Sequence, residues 1–268
     1  MEFIKAILYG IIQGITEWLP ISSTGHMILF EEFAPLGLGD AFRSVFLVVI
    51  QLGSILAVVV LFFHKLNPFS PRKNKEERRE TWSLWGKVLV AVIPAGIIGV
   101  VFNDEIDRLF FRPQVVAATL ILYGVLFILL ERRKRKPTIR SFHELGYREA
   151  LLIGACQVLA LVPGTSRSGA TILGAVFLGS SRVVASEFSF FLAIPVMLGA
   201  SLLKLAEAGG GFSTLEWSVL IMGAVTAFIV SIFAIRFLLG FIKRNDFTAF
   251  GYYRIVLGLL VLLYFSLR

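Results

Sequence analysis

The chain has 268 residues, of which 57% are hydrophobic and 16% charged, and its mean hydropathy is strongly positive. A soluble domain carries roughly 45–50% apolar and about 25% charged residues, so this composition excludes a disordered chain, a fibrous protein and an ordinary soluble enzyme and points to a polytopic membrane protein. A single cysteine, Cys156, excludes a disulfide framework and a cysteine-based metal cluster. The net charge of +8 sits in two segments, 64–87 and 131–149, each with seven Lys/Arg against three Glu. That is the pattern of cytoplasmic loops under the positive-inside rule, and no nucleic-acid partner is expected from it.

In chain order, the first apolar stretch, 3–35, is not a plain span. It is interrupted by Glu17, by Pro20 and by the polar run Ser22-Ser23-Thr24-Gly25-His26. It also lacks the charged start and cleavage site of a signal peptide. Spans of adequate length and apolarity follow at 42–63, 86–103 and 114–130. After the basic linker, the stretch 150–180 is broken by Pro163-Gly164-Thr165-Ser166-Arg167-Ser168-Gly169, and further spans follow at 184–205, 217–242 and 251–267. With both basic loops inside, the acidic loop 103–112 and the Lys/Arg-free loop 206–216 fall outside. Lys243 and Arg244 then fall inside again. Loop parity requires the stretch 150–180 to enter and leave on the inner side. By analogy the stretch 3–35 enters and leaves on the outer side. Both are expected to be re-entrant helix–loop–helix hairpins, because irregular backbone at membrane depth is tolerated only in protein or beside water.

Gly10-x-x-Gln13 … Pro20-x-Ser22-Ser23-x-Gly25 parallels Gly154-x-x-Gln157 … Pro163-x-Thr165-Ser166-x-Ser168-Gly169. Each hairpin precedes three spans, and the second half starts on the opposite side. The expected fold is therefore one all-α membrane domain over 1–268, with six transmembrane helices and two hairpins. It forms an inverted-topology repeat, repeat one about 1–135 and repeat two about 140–268, whose breaks meet near the midplane. Gly223-Ala224 in the fifth span permits close helix packing and leaves room for a homodimer.

Ionisable residues at membrane depth are costly and mark function. Of three histidines only His26 lies in an apolar region; His64 and His143 lie in the basic loops. Pro163–Gly169 has the chemistry of a phosphate cradle. Gly164 allows close backbone approach; Thr165, Ser166 and Ser168 donate hydrogen bonds; Arg167 offers a planar cationic fork. A headgroup-seeking Arg167 in a serine-rich turn is the alternative. Gln13 and Glu17 share a helix face and supply hard oxygens for a divalent cation, or else pair to satisfy a helix end. Ser22 and Ser23 suit phosphate contact, nucleophilic attack or helix capping. Glu187 suits either a buried ion pair or the headgroup layer. Carboxylate, imidazole, hydroxyls and guanidinium together suit phosphoryl transfer.

Gln13-Gly-Ile-Thr-Glu17-Trp-Leu-Pro-Ile-Ser-Ser-Thr-Gly-His26 resembles the first signature of the bacterial undecaprenyl-diphosphate phosphatases, the bacitracin-resistance proteins. Pro163-Gly-Thr-Ser-Arg-Ser-Gly-Ala-Thr171 resembles their second, and the segment Phe188–Leu198, with Ala193-Ile194-Pro195, is similar too. The resemblance implies an integral enzyme of the bacterial inner membrane, its active site facing the periplasm. Its reaction is removal of the terminal phosphate of undecaprenyl diphosphate, with magnesium or calcium. It implies Glu17, Ser23, His26 and Arg167 as the essential set. Gln13 and Glu17 would be on the metal, and Ser22, Thr24, Gly164, Thr165, Ser166, Ser168 and Thr171 on the substrate. Gln13 stands where many members carry Glu, which removes one charged ligand. Ser23, His26 and an activated water all remain open as nucleophile. A secondary transporter or lipid translocator is the rival reading, since broken helices in inverted repeats are a transporter trait.

Overall fold

The computed structural model describes residues 1–209 and 211–267, with positions 103, 104 and 107 described by backbone only. Among the described residues the named elements are helices, apart from an isolated bridge pairing Ile139 with Ser180. The stretch 3–35 forms α1 (Glu2–Thr16) and α2 (Ser23–Phe33), separated by a turn that contains Pro20. Then come α3 (Asp40–Leu61), the single turn α4 (Phe63–Leu66), α5 (Lys75–Phe110) and α6 (Pro113–Arg132). The stretch 150–180 forms α7 (Tyr147–Val158), a 3₁₀ turn (Leu159–Leu161) and α8 (Arg167–Phe177). The chain closes with α9 (Arg182–Glu207), α10 (Thr214–Ile242) and α11 (Thr248–Ser266).

Six of these are long and apolar enough to cross a membrane: α3, Lys75–Phe102 of α5, α6, α9, α10 and α11. They match the six spans expected from hydropathy. One expectation changes in detail. The loop expected at 103–112 is largely helical, because α5 continues to Phe110 past non-helical backbone at Phe102 (φ −118°, ψ 17°). The acidic side chains at 104 and 107 lie outside the described residues, as does position 210 in the loop after α9. The bundle's outer surface carries Leu56, Ile93, Ile97, Ile229, Phe233 and Leu260, all exposed. In water such a surface would aggregate; against lipid it is the expected boundary.

Helices α1 and α3 pack on α10, α3 also on α9, α5 on α7, and α6 on α11. Gly53 shows why small residues line these seams. A Cβ placed there would sit 1.9 Å from the Ala224 carbonyl oxygen, so α3 and α10 touch backbone to backbone. The Gly223–Ala224 pair is therefore engaged inside the chain.

Hydrogen bonds and ion pairs define two ends. At one end Lys5 Nζ donates to the Pro35 carbonyl at 2.5 Å and Glu2 accepts from the Gly37 amide, so the start of α1 meets the end of α2. At the other, Lys87 donates to the Phe142 carbonyl, joining the two basic segments. The Thr138 amide donates to the Gly179 carbonyl, and Glu131 pairs with Arg182 and accepts from the Phe247 amide. Both basic segments thus lie at the end opposite the N-terminus. They border a cavity of about 790 Å³ that also contains Glu187, which pairs with Lys65.

Candidate functional site

Both helix breaks have the same local construction. Ser22 and Ser166 adopt left-handed backbone, φ 74° and 73°, rare for a residue with a Cβ. Each is the N-cap of the helix that follows. The Ser22 side chain accepts from the Gly25 amide (3.3 Å), and the Ser166 side chain accepts from the Gly169 amide (3.1 Å). Capping fixes the first turns of α2 and α8, and those turns carry Ser23, Thr24, His26, Arg167 and Ser168. Gly164, at φ +88°, lies against α6, where a Cβ would meet the Thr119 hydroxyl at 2.2 Å and the Val116 carbonyl at 2.6 Å. Thr119 in turn donates to the Pro163 carbonyl at 2.8 Å.

Glu17 is the centre of the arrangement and is 5% exposed. Its Oε1 accepts from Arg167 Nη2 at 3.0 Å, across 150 residues of sequence. Its Oε2 accepts from Gln13 Nε2 and from Ser23 Oγ, both at 3.0 Å. Arg167 Nη1 donates to the Ser189 carbonyl (2.6 Å) and hydroxyl (3.1 Å), and its guanidinium lies 5.8 Å from the Trp18 ring. Trp18, fully buried, meets Phe190 edge-on at 5.2 Å, and among the described residues its indole N–H has no partner. Arg167 Nε is also buried, with no hydrogen-bond partner among the described residues. A buried, unpaired guanidinium N–H is expensive unless something accepts it.

Ser168 Oγ donates to the Glu17 and Leu19 carbonyls (3.1 and 3.3 Å) and lies 3.1 Å from Ser166 Oγ. Thr171 Oγ1 lies 2.7 Å from Ser189 Oγ and donates to the Arg167 carbonyl. Gln13, Glu17, Ser23, Arg167, Ser168 and Thr171 thus form one buried network with Ser189. Ser22 and Ser166 act on the backbone. Thr24 is half-buried in the first turn of α2. The hydrogen bonds of His26 lead elsewhere: Nδ1 to the Ser22 carbonyl (2.7 Å) and Nε2 to the Tyr253 hydroxyl (2.6 Å).

Three participants escape a motif-based reading. Ser189 lies in the segment Phe188–Leu198 that resembles the family, though nothing in that segment singles out the serine. Tyr253 and Arg254 lie on α11. Arg254 is fully buried; its Nη1 donates to the Pro20 carbonyl at 3.1 Å and its Nη2 to the Gly164 and Thr165 carbonyls at 2.9 Å. One side chain therefore ties both breaks together. The available signal was an arginine inside a span.

The donors around Glu17 are hard oxygens, which suit a magnesium or calcium ion in kind. Rotating the Gln13 amide exchanges its nitrogen for its oxygen and would present two oxygens at one point. In number they are few. Among the described residues no three His, Cys, Asp or Glu side chains converge, and Glu17 is already paired with Arg167. A cation fits here only with most of its ligands drawn from water and from a phosphorylated substrate.

A family model for bacitracin resistance protein BacA matches residues 6–260. The chain is 60% identical over 267 residues to Undecaprenyl-diphosphatase 1 of Clostridioides difficile, covering 100% of this chain and 97% of that relative. It is 62% identical to the Undecaprenyl-diphosphatase of Acetivibrio thermocellus, covering 99% and 98%, and 56% identical to that of Enterococcus faecalis, covering 97% and 96%.

Proposed function

From its membership of the bacitracin resistance protein BacA family, to which this chain belongs, we propose that it is a membrane phosphatase hydrolysing undecaprenyl diphosphate to undecaprenyl phosphate and inorganic phosphate. The observation that carries the reading is the Glu17–Arg167 pair. Two distant breaks deliver a carboxylate and a guanidinium into contact inside an apolar bundle, beside a serine hydroxyl. Arg167 Nε, buried and unpaired, is the donor left for a phosphate oxygen.

Ser23 Oγ already donates to Glu17, the relation of a nucleophile to its base. Ser23 Oγ attacks the terminal phosphorus and its proton passes to Glu17. The new O–P bond replaces the P–O bond to the lipid phosphate, which leaves as a stabilised anion. Water then attacks the phosphoserine: its proton passes to His26, the bond from Ser23 Oγ to phosphorus breaks, and Glu17 returns its proton to Ser23 Oγ as inorganic phosphate leaves. Arg167 and the Pro163–Thr171 turn hold the charge that builds on the phosphoryl oxygens. Gln13 and Glu17 would hold a divalent cation together with the diphosphate, and it would neutralise part of that charge.

The same proposal covers placement. We read α1–α2 and α7–α8 as re-entrant hairpins of an inverted repeat. The parallel capping at Ser22 and Ser166 supports this. So does the exchange of partners, α1 on α10 and α7 on α5. With the basic end in the cytoplasm, α1 and α2 open toward the periplasmic face of the plasma membrane.

The test is phosphate release from a polyprenyl diphosphate by purified protein in detergent with Mg²⁺. Metal-dependent release that is lost with EDTA and in Arg167→Ala is the expected result. No release from folded protein overturns the reading and returns attention to transport, which needs a sealed bilayer.

A further inference from the structure

His26 is oriented by a residue on the last helix. Its Nδ1 is 2.7 Å from the Ser22 carbonyl oxygen. A carbonyl only accepts, so the ring proton belongs on Nδ1 and Nε2 keeps its lone pair. Nε2 is 2.6 Å from the Tyr253 hydroxyl, which is then the donor. The two rings are nearly parallel, 7° apart, with centroids separated by 5.6 Å. Tyr253 is 45% exposed and shares the outer face of α11 with Val256 and Leu260, so it stands at the seam between α2 and the bundle surface. The next residue, Arg254, points inward to the two breaks. Consecutive residues of α11 thus fix the imidazole and the turns beside it.

We propose that Tyr253 is a positioning residue for His26: with the Ser22 carbonyl holding the ring proton on Nδ1, its phenol donates to Nε2, fixes the ring and caps that nitrogen until a phosphate group reaches the imidazole. The geometry stands alone, but the catalytic consequence rests on the phosphatase reading. When the headgroup arrives, the phenol O–H transfers its hydrogen bond from Nε2 to a phosphate oxygen. Nε2 is then free to take a proton from water, and the exchange itself breaks no covalent bond. Tyrosine suits this place because its ring tolerates an apolar boundary while its hydroxyl remains a neutral donor.

Two measurements on substrate-free protein test the cap without any turnover. The first is acylation by diethyl pyrocarbonate, which attacks an available imidazole lone pair. The rate at His26, followed by peptide mass spectrometry, is expected to rise about tenfold in Tyr253→Phe, the factor one hydrogen bond is worth. His64 and His143 are internal references whose rates stay unchanged in a folded variant. Equal His26 rates in the two proteins overturn the proposal. The second needs no variant: the imidazole ¹⁵N spectrum of wild-type protein is expected to show His26 protonated at Nδ1 and bare at Nε2, and the opposite tautomer overturns it. If phosphatase activity is present, Tyr253→Phe is further expected to lower kcat about tenfold with little change in KM. Absence of activity in wild-type protein would remove the phosphatase reading and leave the first two results standing.

Discussion

Arg254 reads as a brace. Among the described residues it has no carboxylate within ion-pair distance, and its charge is met by four carbonyl dipoles, those of Pro20, Leu120, Gly164 and Thr165, and by the Tyr123 ring at 5.5 Å. Arg254→Gln removes at least two of these bonds and frees the breaks to move against each other. A displacement on the order of 1 Å costs roughly 10²-fold in rate, so kcat/KM for phosphate release is expected to fall by about that factor, with Tm lowered. Lysine donates from a single nitrogen whereas these carbonyls are met by three separate nitrogens of a planar fork, so Arg254→Lys is expected to recover only part of the loss. Glu17 presents the opposite case, a pair in which each partner protects the other. Glu17→Gln leaves Arg167 buried without its counter-charge, which costs about 3–5 kcal/mol in such sites. Thermal melting in detergent is expected to show that loss, and the double change Glu17→Gln with Arg167→Gln to recover part of the stability while remaining inactive. A double variant no more stable than Glu17→Gln alone would argue that the ion pair is not what holds the breaks together. The motifs made Glu17, Ser23, His26 and Arg167 legible because four polar groups within two short apolar stretches stand out. Tyr253 was illegible for the converse reason, and Ser189, though inside the Phe188–Leu198 segment that resembles the family, was not singled out: a lone hydroxyl in a span costs little and has many bland uses. Arg254 was legible in principle and needed only the cost of a buried guanidinium to be applied to every span alike.

Hydropathy determined the six spanning elements well, since length and apolarity are what a bilayer selects. It placed the end of the second span correctly, beside Phe102, but did not foresee the helix beyond it. Phe102 breaks the helical backbone, yet the polar residues beyond it continue as helix to Phe110, because polarity does not by itself stop a helix. Which helices pair was also invisible to hydropathy and depends on small residues. Gly53 is the sharpest instance. Gly53→Ala places a carbon where the Ala224 carbonyl oxygen sits, so α3 and α10 must separate, and a loss of about 1–3 kcal/mol is expected in detergent melts. Gly199→Ala on α9, with nothing within 4 Å of the added carbon, is the control and is expected to be neutral or slightly stabilising. Equal effects at both positions would show that the seam is not close-packed.

The two ends of the molecule are chemically distinct, and the orientation proposed above rests on that difference. The basic segments gather around one cavity with Arg79, Lys87 and Arg140, whereas the other end joins the N-terminus to Pro35 and Gly37. In a Cys156→Ser background, a cysteine at Ser141 is expected to react with a membrane-impermeant maleimide only in opened cells, and one at Gly211 in intact cells. The reverse pattern would invert the assignment of the active-site face. The buried centre also contains a reporter. Trp18 lies between the Arg167 guanidinium and Phe190, sealed from solvent. Of the four tryptophans, Trp82, Trp85 and Trp217 lie outside this centre. With those three changed to Phe, the remaining emission comes from an indole beside a movable cation, and any shift of that cation toward a diphosphate alters the electric field across the ring. The colour of the fluorescence then becomes a direct optical gauge of headgroup binding, readable in a variant that cannot turn over.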